Sequence, residues 1–179
     1  MEEKKIDRRV RRTKRLLLNA LIQLMSGKKI NKITVKELTD LADVNRATFY
    51  LYYRDIYDMV DQVETEMLSE FTVAYKKYSS SASTYEEMMP FITYVFEFVK
   101  NNSEMCKILL GPDGNYSFIQ KFREAINNSQ PLLLDTSSKI KLNYYKPFII
   151  SGCIGVIQKW LENGMDSSPD EMAKLIIDF

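Results

Sequence analysis

Near the start of the chain, apolar residues recur at three- and four-residue steps, with Val10, Leu17, Ala20, Leu21 and Leu24 set into an otherwise polar stretch. That is the period of an amphipathic helix, and it predicts one from Asp7 to Ser26, ended by Gly27 in "SGKK". Thr34 with Glu37 three residues on matches a capping box, in which each side chain satisfies a backbone N–H at the helix start. A short helix from Val35 to Ala42 should follow, with Val35, Leu38, Leu41 and Ala42 on one face. "DVN" interrupts it, and Asn45 suits the N-cap of a second short helix beginning at Arg46. Two short helices joined by a three-residue turn, after a longer one, make a helix-turn-helix candidate.

Past Asp55 the helical period continues. Helices are expected at about 55–80, 84–100, 103–110, 115–129, 139–163 and 169–179, separated by "SSSAS" (79–83), "GPDG" (111–114) and "NGMDSSPD" (163–170). The expected fold class is all-α: a three-helix domain over 1–54 followed by a helical bundle over 55–179. A chain of 179 residues, 45% hydrophobic and 27% charged, is long enough to bury a sizeable core. It has no apolar run long enough to span a membrane, and its charged start "MEEKKIDRRVRRTKR" lacks the apolar segment of a secretory signal. A cytoplasmic protein is expected.

The stretch "VNRATFYLYYRD", residues 44 to 55, holds the aromatics Phe49, Tyr50, Tyr52 and Tyr53. On a helix starting near Arg46, Phe49 and Tyr53 lie four apart and share a face with Val44, which should pack against Leu38, Leu41 and the first helix. Arg46, Ala47, Thr48, Tyr50 and Tyr52 then point more outward. Small Ala47 allows close approach to a surface, the hydroxyls can donate to phosphate oxygens, and Arg46 can reach a base edge or a phosphate.

Charge sharpens this picture. Residues 1–60 hold 14 Lys and Arg against 8 Asp and Glu, a net of +6, whereas residues 61–179 hold 11 against 16, a net of −5. A basic first third followed by an acidic remainder suggests that the first part meets a polyanion. Catalysis has little to stand on: there is no histidine, no nucleophile elbow, no phosphate loop and no paired metal-carboxylate motif. No catalytic residue, metal or cofactor is expected, and Cys106 and Cys153 read as reduced core residues. Gly152 and Gly155, with Ser151, read as a place where two helices pack closely.

"KITVKELTDLADVNRATFYLYYRDIYDMV" closely resembles the DNA-binding domain of the TetR/AcrR family of transcriptional regulators, matching its pattern at Ile33, Thr34, Leu38, Ala42, Val44, Asn45, Ala47, Thr48, Phe49 and Tyr50. Asp43 stands where the family usually has glycine, Tyr52 replaces the common histidine, Tyr53 the common phenylalanine, and Ile56 a lysine that touches phosphate. The segments "NNSEMCKILLGPDGNYSFIQKF" and "YYKPFIISGCIGVIQKWLENGMDSSPDEMAKLI" resemble one C-terminal subfamily, marked by an L-L-G-x-x-G turn and a G-x-x-x-x-x-x-W-[LI]-x-x-G segment.

The resemblance implies a homodimer that reads a palindromic double-stranded DNA operator and answers to a small-molecule effector, as a repressor. DNA contacts are expected at Arg11, Arg12, Thr34, Lys36, Asn45, Arg46, Ala47, Thr48, Tyr50, Tyr52 and Arg54, with Lys4, Lys5, Arg8 and Arg9 completing a basic arm. The effector pocket is expected around Met88, Met89, Tyr94, Phe98 and Met105, and the dimer interface at Phe148, Gly152, Ile157, Trp160, Leu161 and Leu175. The departures at Asp43, Tyr52 and Ile56 keep a second reading open, a co-regulator of the same fold acting through a protein partner.

Overall fold

The computed structural model describes residues 8–79, 84, 86–110, 116–127 and 139–178. Regular structure among them is helical: α1 (Arg8–Met25), α2 (Val35–Ala42), α3 (Arg46–Tyr50), α4 (Ile56–Ser79), α5 (Met89–Asn101), α6 (Ser103–Leu110), α7 (Tyr116–Asn127), α8 (Lys139–Glu162) and α9 (Pro169–Asp178). Most ends fall within two residues of the periodicity. The helix expected from 84 instead opens as a 3-10 turn at Glu86–Met88, and α5 starts at Met89. Pro90 lies in the first turn of α5, where its missing N–H costs nothing. "GPDG", most of "SSSAS", and Phe179 lie outside the described residues.

The chain forms two compact units, one ending at Glu64 and one beginning at Thr65. In the first, α1 packs on α2 and α2 on α3. Leu17, Leu21, Leu38, Phe49 and Met59 have no exposed surface, and Ala20, Ala42, Tyr53 and Ile56 fill in around them. Burial of each large side chain contributes roughly 1.5–3 kcal/mol. Two details differ from expectation. Leu41 is 43% exposed, and Thr39 takes the inward place beside Leu38 and Ala42. A face at positions 35, 38, 39 and 42 follows the 3.6-residue period more closely than one including 41, and the Thr39 hydroxyl is satisfied by Val35 O at 2.8 Å. The capping box is half formed: Thr34 Oγ1 accepts from Glu37 N at 3.2 Å, while the Glu37 carboxylate pairs with Lys28 Nζ.

Asp43 has φ 51° and ψ 47°, the left-handed conformation that Asp tolerates better than most residues. The twist lets Val44 N donate to Thr39 O at 3.0 Å, which closes α2 and turns the chain into α3.

In the second unit α5 packs on α9, and α6 packs on both α7 and α8. Phe71 and Tyr75 meet Phe91 edge-on, with ring centroids 5.4 and 5.2 Å from it, in an aromatic cluster that Met88, Ile150 and Ile154 complete. Trp160 is 2% exposed, meets Phe96 edge-on at 5.2 Å and donates Nε1 to Ser167 O at 3.1 Å. Ile157, Trp160 and Leu161, expected at a subunit interface, are thus corrected to the interior of this chain. The reason is that α8 is two-sided: Ile150, Ile154, Ile157 and Leu161 recur at four- and three-residue steps and point inward. Past α8 the backbone turns through Gly164 (φ 76°) and Met165 (φ 61°), and Met165 N donates to Trp160 O at 2.8 Å. Ser168 and Glu171 then open α9 with a complete capping box.

Phe49→Ala should destabilise the protein by about 3–5 kcal/mol, the usual result of truncating a fully buried Phe. A thermal melt within a degree of wild type would show that α3 does not use Phe49 as its anchor.

Candidate nucleic-acid interface

α3 is five residues long, too short to persist without help. Asn45 holds its start, with Oδ1 accepting from Ala47 N at 2.7 Å. Phe49 and Tyr53, rings 5.5 Å apart, hold its inner face, and Lys14 Nζ of α1 lies 5.7 Å from the centroid of the Tyr53 ring. With that face buried, Arg46 and Ala47 are exposed, Tyr50 is 53% exposed and Thr48 is half-buried. Tyr52 is half-buried, its ring 6.3 Å from that of Tyr53. Arg11, Arg12, Thr34, Lys36, Asn45 and Arg54 are exposed as well, while Lys4 and Lys5 lie outside the described residues.

Ile56 is 4% exposed, so the position that could have carried a phosphate-binding lysine belongs to the core. Two residues before it, Arg54 is bound to Asp58: Nε and Nη2 donate to Oδ1 at 3.1 and 2.8 Å. Oδ2 of the same carboxylate accepts from Arg54 N at 2.9 Å and from Gln62 Nε2 at 3.1 Å. These bonds, the backbone N–H of Arg54 first and its guanidinium second, hold the Asp58 carboxyl below its ordinary pKa. The hydrogen bond to Asp58 raises the Arg54 pKa in turn.

The second unit contains an apolar cavity of about 50 Å³ among Phe71, Phe98, Val99, Cys106, Ile154 and Ile157. Of the residues expected around a pocket, Phe98 lines it. Met88 is instead packed in the aromatic cluster with Tyr94 against it, Met105 is buried elsewhere in α6, and Met89 is half-buried. The Cys106 thiol is pushed up to about 12 by burial and the half-buried Cys153 thiol is raised for the same reason, which makes both poor nucleophiles. Among the described residues there is no group of side chains able to hold a metal ion, and no helix is long and apolar enough to cross a membrane.

On the outer side of α8, Tyr144 and Phe148 are 75% and 71% exposed, and Tyr145 stacks on Phe148. Gly152 and Gly155 continue that face, and a Cβ at either would meet nothing within 4 Å, so the close helix packing expected there does not occur within the described chain. Leu175 of α9 is 43% exposed.

Two surface residues escaped the sequence reading. Leu51, 76% exposed, lies four residues after Ala47 and shares its outward face. Asp58 lies four residues after Arg54, a spacing that signals an ion pair on a helix but whose partner here sits before the helix begins.

Residues 86–179 match the family described as transcriptional regulator C-terminal region, of TetR type. The chain is 23% identical over 183 residues to the HTH-type transcriptional regulator YxbF of Bacillus subtilis (strain 168), covering 99% of this chain and 47% of that protein, so it spans about half the length of the curated relative it matches. Its fold is similar to the TetR transcriptional regulator from Streptococcus agalactiae 2603V, with TM-score 0.67 and 22% identity over 96% of this chain and 95% of that one. It is also similar to the transcriptional regulator FadR from Bacillus subtilis in complex with stearoyl-CoA, with TM-score 0.68 and 13% identity over 92% and 95% of the two chains.

Arg46→Ala should leave the melting temperature unchanged while weakening duplex binding or altering its sequence preference, and Tyr50→Phe should weaken binding by about 1 kcal/mol, the net value of one hydrogen bond. Anisotropy titrations beside thermal melts check both. A stability loss at Arg46 with unchanged affinity would mean that α3 faces the other way.

Proposed function

The chain belongs to the TetR family of transcriptional regulators, which are not enzymes, and on that premise we propose that it is a ligand-responsive repressor binding a palindromic DNA operator as a cytoplasmic homodimer. The observation that carries this reading is the division of α3: Phe49 is fully buried while Arg46, Ala47 and Tyr50 face outward from a capped helix start. That arrangement suits a helix laid in a major groove, with Thr34, Lys36, Asn45, Thr48 and Tyr52 around it and the Arg11 and Arg12 region along the backbone. Residues 1–54 would carry DNA binding, and residues 55–179 dimerisation and ligand response, the latter with the marks of the L-L-G-x-x-G subfamily.

The dimer would form through the outer face of α8, where Tyr144, Tyr145, Phe148 and Gly152 form an exposed aromatic and small-residue surface, together with Leu175 on α9. A face meeting its own copy across a two-fold axis would set the spacing of the two α3 helices, and so the spacing of operator half-sites. The effector class that suits the cavity carries an apolar chain, and FadR with stearoyl-CoA, whose acyl chain is apolar, is a precedent for such a ligand on this fold. A cavity of about 50 Å³ holds only a small part of such a molecule, so binding would require the surrounding helices to move apart. A ligand that favours the opened state would shift the population between two geometries, and with it the affinity for DNA.

Selection of bound sequences from a random duplex pool tests the DNA reading, with an enriched palindrome expected; a pool left unenriched would favour the co-regulator instead. For the dimer, Phe148→Glu should yield folded monomers by sedimentation and abolish operator binding, because one half-site supplies too few contacts. Folded dimers of Phe148→Glu would place the interface elsewhere.

A further inference from the structure

Arg54 is the cation nearest the start of α4 whose geometry is held on both of its sides. Its backbone N–H and its guanidinium both donate to one carboxylate, Asp58, whose side chain is only 12% exposed although the arginine side chain is 87% exposed. The carboxylate is itself pinned: Asp58 N donates to Asp55 Oδ1 at 2.8 Å, and Gln62 Nε2 reaches Asp58 Oδ2 while lying 3.3 Å from Tyr52 O. A guanidinium carries five N–H donors in a planar fork. Two of them face Asp58, which leaves the outer edge open to solvent and fixed in orientation. An exposed arginine ordinarily loses rotamer freedom when it binds, and this one has surrendered much of it already. The half-buried Asp58 carboxylate thus holds one edge of the guanidinium and orients the fork.

We propose that Asp58 is a positioning residue that presents the outer guanidinium edge of Arg54 to a backbone phosphate of duplex DNA. The pair supplies a phosphate contact where Ile56, turned into the core, cannot. The inference rests on the DNA-binding reading above and adds to it a residue that touches no DNA. Because phosphates are the same in every sequence, the contact strengthens binding without selecting a sequence.

The test is a double-mutant cycle on the full chain, read by anisotropy on two duplexes: one enriched from a random pool by the wild-type protein, and one of scrambled sequence. Arg54→Ala should weaken both by about tenfold, as the loss of a charge-assisted hydrogen bond does. Arg54→Lys should weaken both nearly as much, since a point charge cannot keep one edge on Asp58 and offer another. Asp58→Asn should weaken both several-fold when Arg54 is present and add nothing to Arg54→Ala. Tighter binding by Asp58→Asn would make Asp58 a competitor of phosphate, and wild-type affinity in Arg54→Lys would make positioning irrelevant; either overturns the proposal. So does a loss from Asp58→Asn that is the same with or without Arg54, which would reduce Asp58 to its part in starting α4. If the wild-type protein shows no salt-dependent binding to either duplex, the DNA-binding reading itself fails, a result distinct from an additive cycle on a protein that binds.

Discussion

The burial of Phe49 is the constraint on which the outward face of the first unit depends. A helix of five residues has almost no stability of its own, so its position and rotation are set by what its inner side chains touch. Phe49 is fully buried, Tyr53 is one turn further on, and the core behind them is built from Leu17, Leu21, Leu38 and Met59. Once that face is fixed, the 100° step per residue leaves Arg46, Ala47, Tyr50 and Leu51 outside. The direction of that outward face is therefore set by the core beneath it.

The same economy appears at the start of α4. Asp55 and Asp58 satisfy the backbone there, Ile56 and Met59 enter the core, and Arg54 is left outside but held. Acidic groups in a helix's first turn are favoured by its dipole, so Asp58 serves the helix whatever else it does. An exposed ion pair contributes little to stability, and the value of this one lies in direction.

α8 divides in a similar way, with consequences on both sides. Its inward row, Ile150, Ile154, Ile157 and Leu161, closes the core, with Ile154 and Ile157 lining the cavity, while Tyr144, Phe148, Gly152 and Gly155 face out. A small apolar cavity bounded by several helices is a site where packing is incomplete, and such packing yields more readily than a filled core. One helix thus touches both the cavity and the exposed aromatic face.

The sequence by itself determined most of the helices and their ends, because periodicity, caps and breakers are local: Asn45 and the left-handed turn at Asp43 act within four residues of themselves. It also settled the inward turn of Phe49 and Tyr53, since two aromatics four apart on a short helix leave few choices. What it left open were decisions that depend on which neighbour is near. Apolar content alone could not divide α8 between its own core and a second surface, so Ile157, Trp160 and Leu161 were expected outside and are inside. Glu37 left its capping partner for Lys28, and Arg54 found Asp58, because each ion pair forms with whatever charge the folded chain brings within reach. Leucine and threonine at 41 and 39 exchanged roles for a different reason: hydrophobicity ranks residues, but the 3.6-residue period puts 39 on the face of 35, 38 and 42, and the Thr39 hydroxyl is satisfied within its own helix.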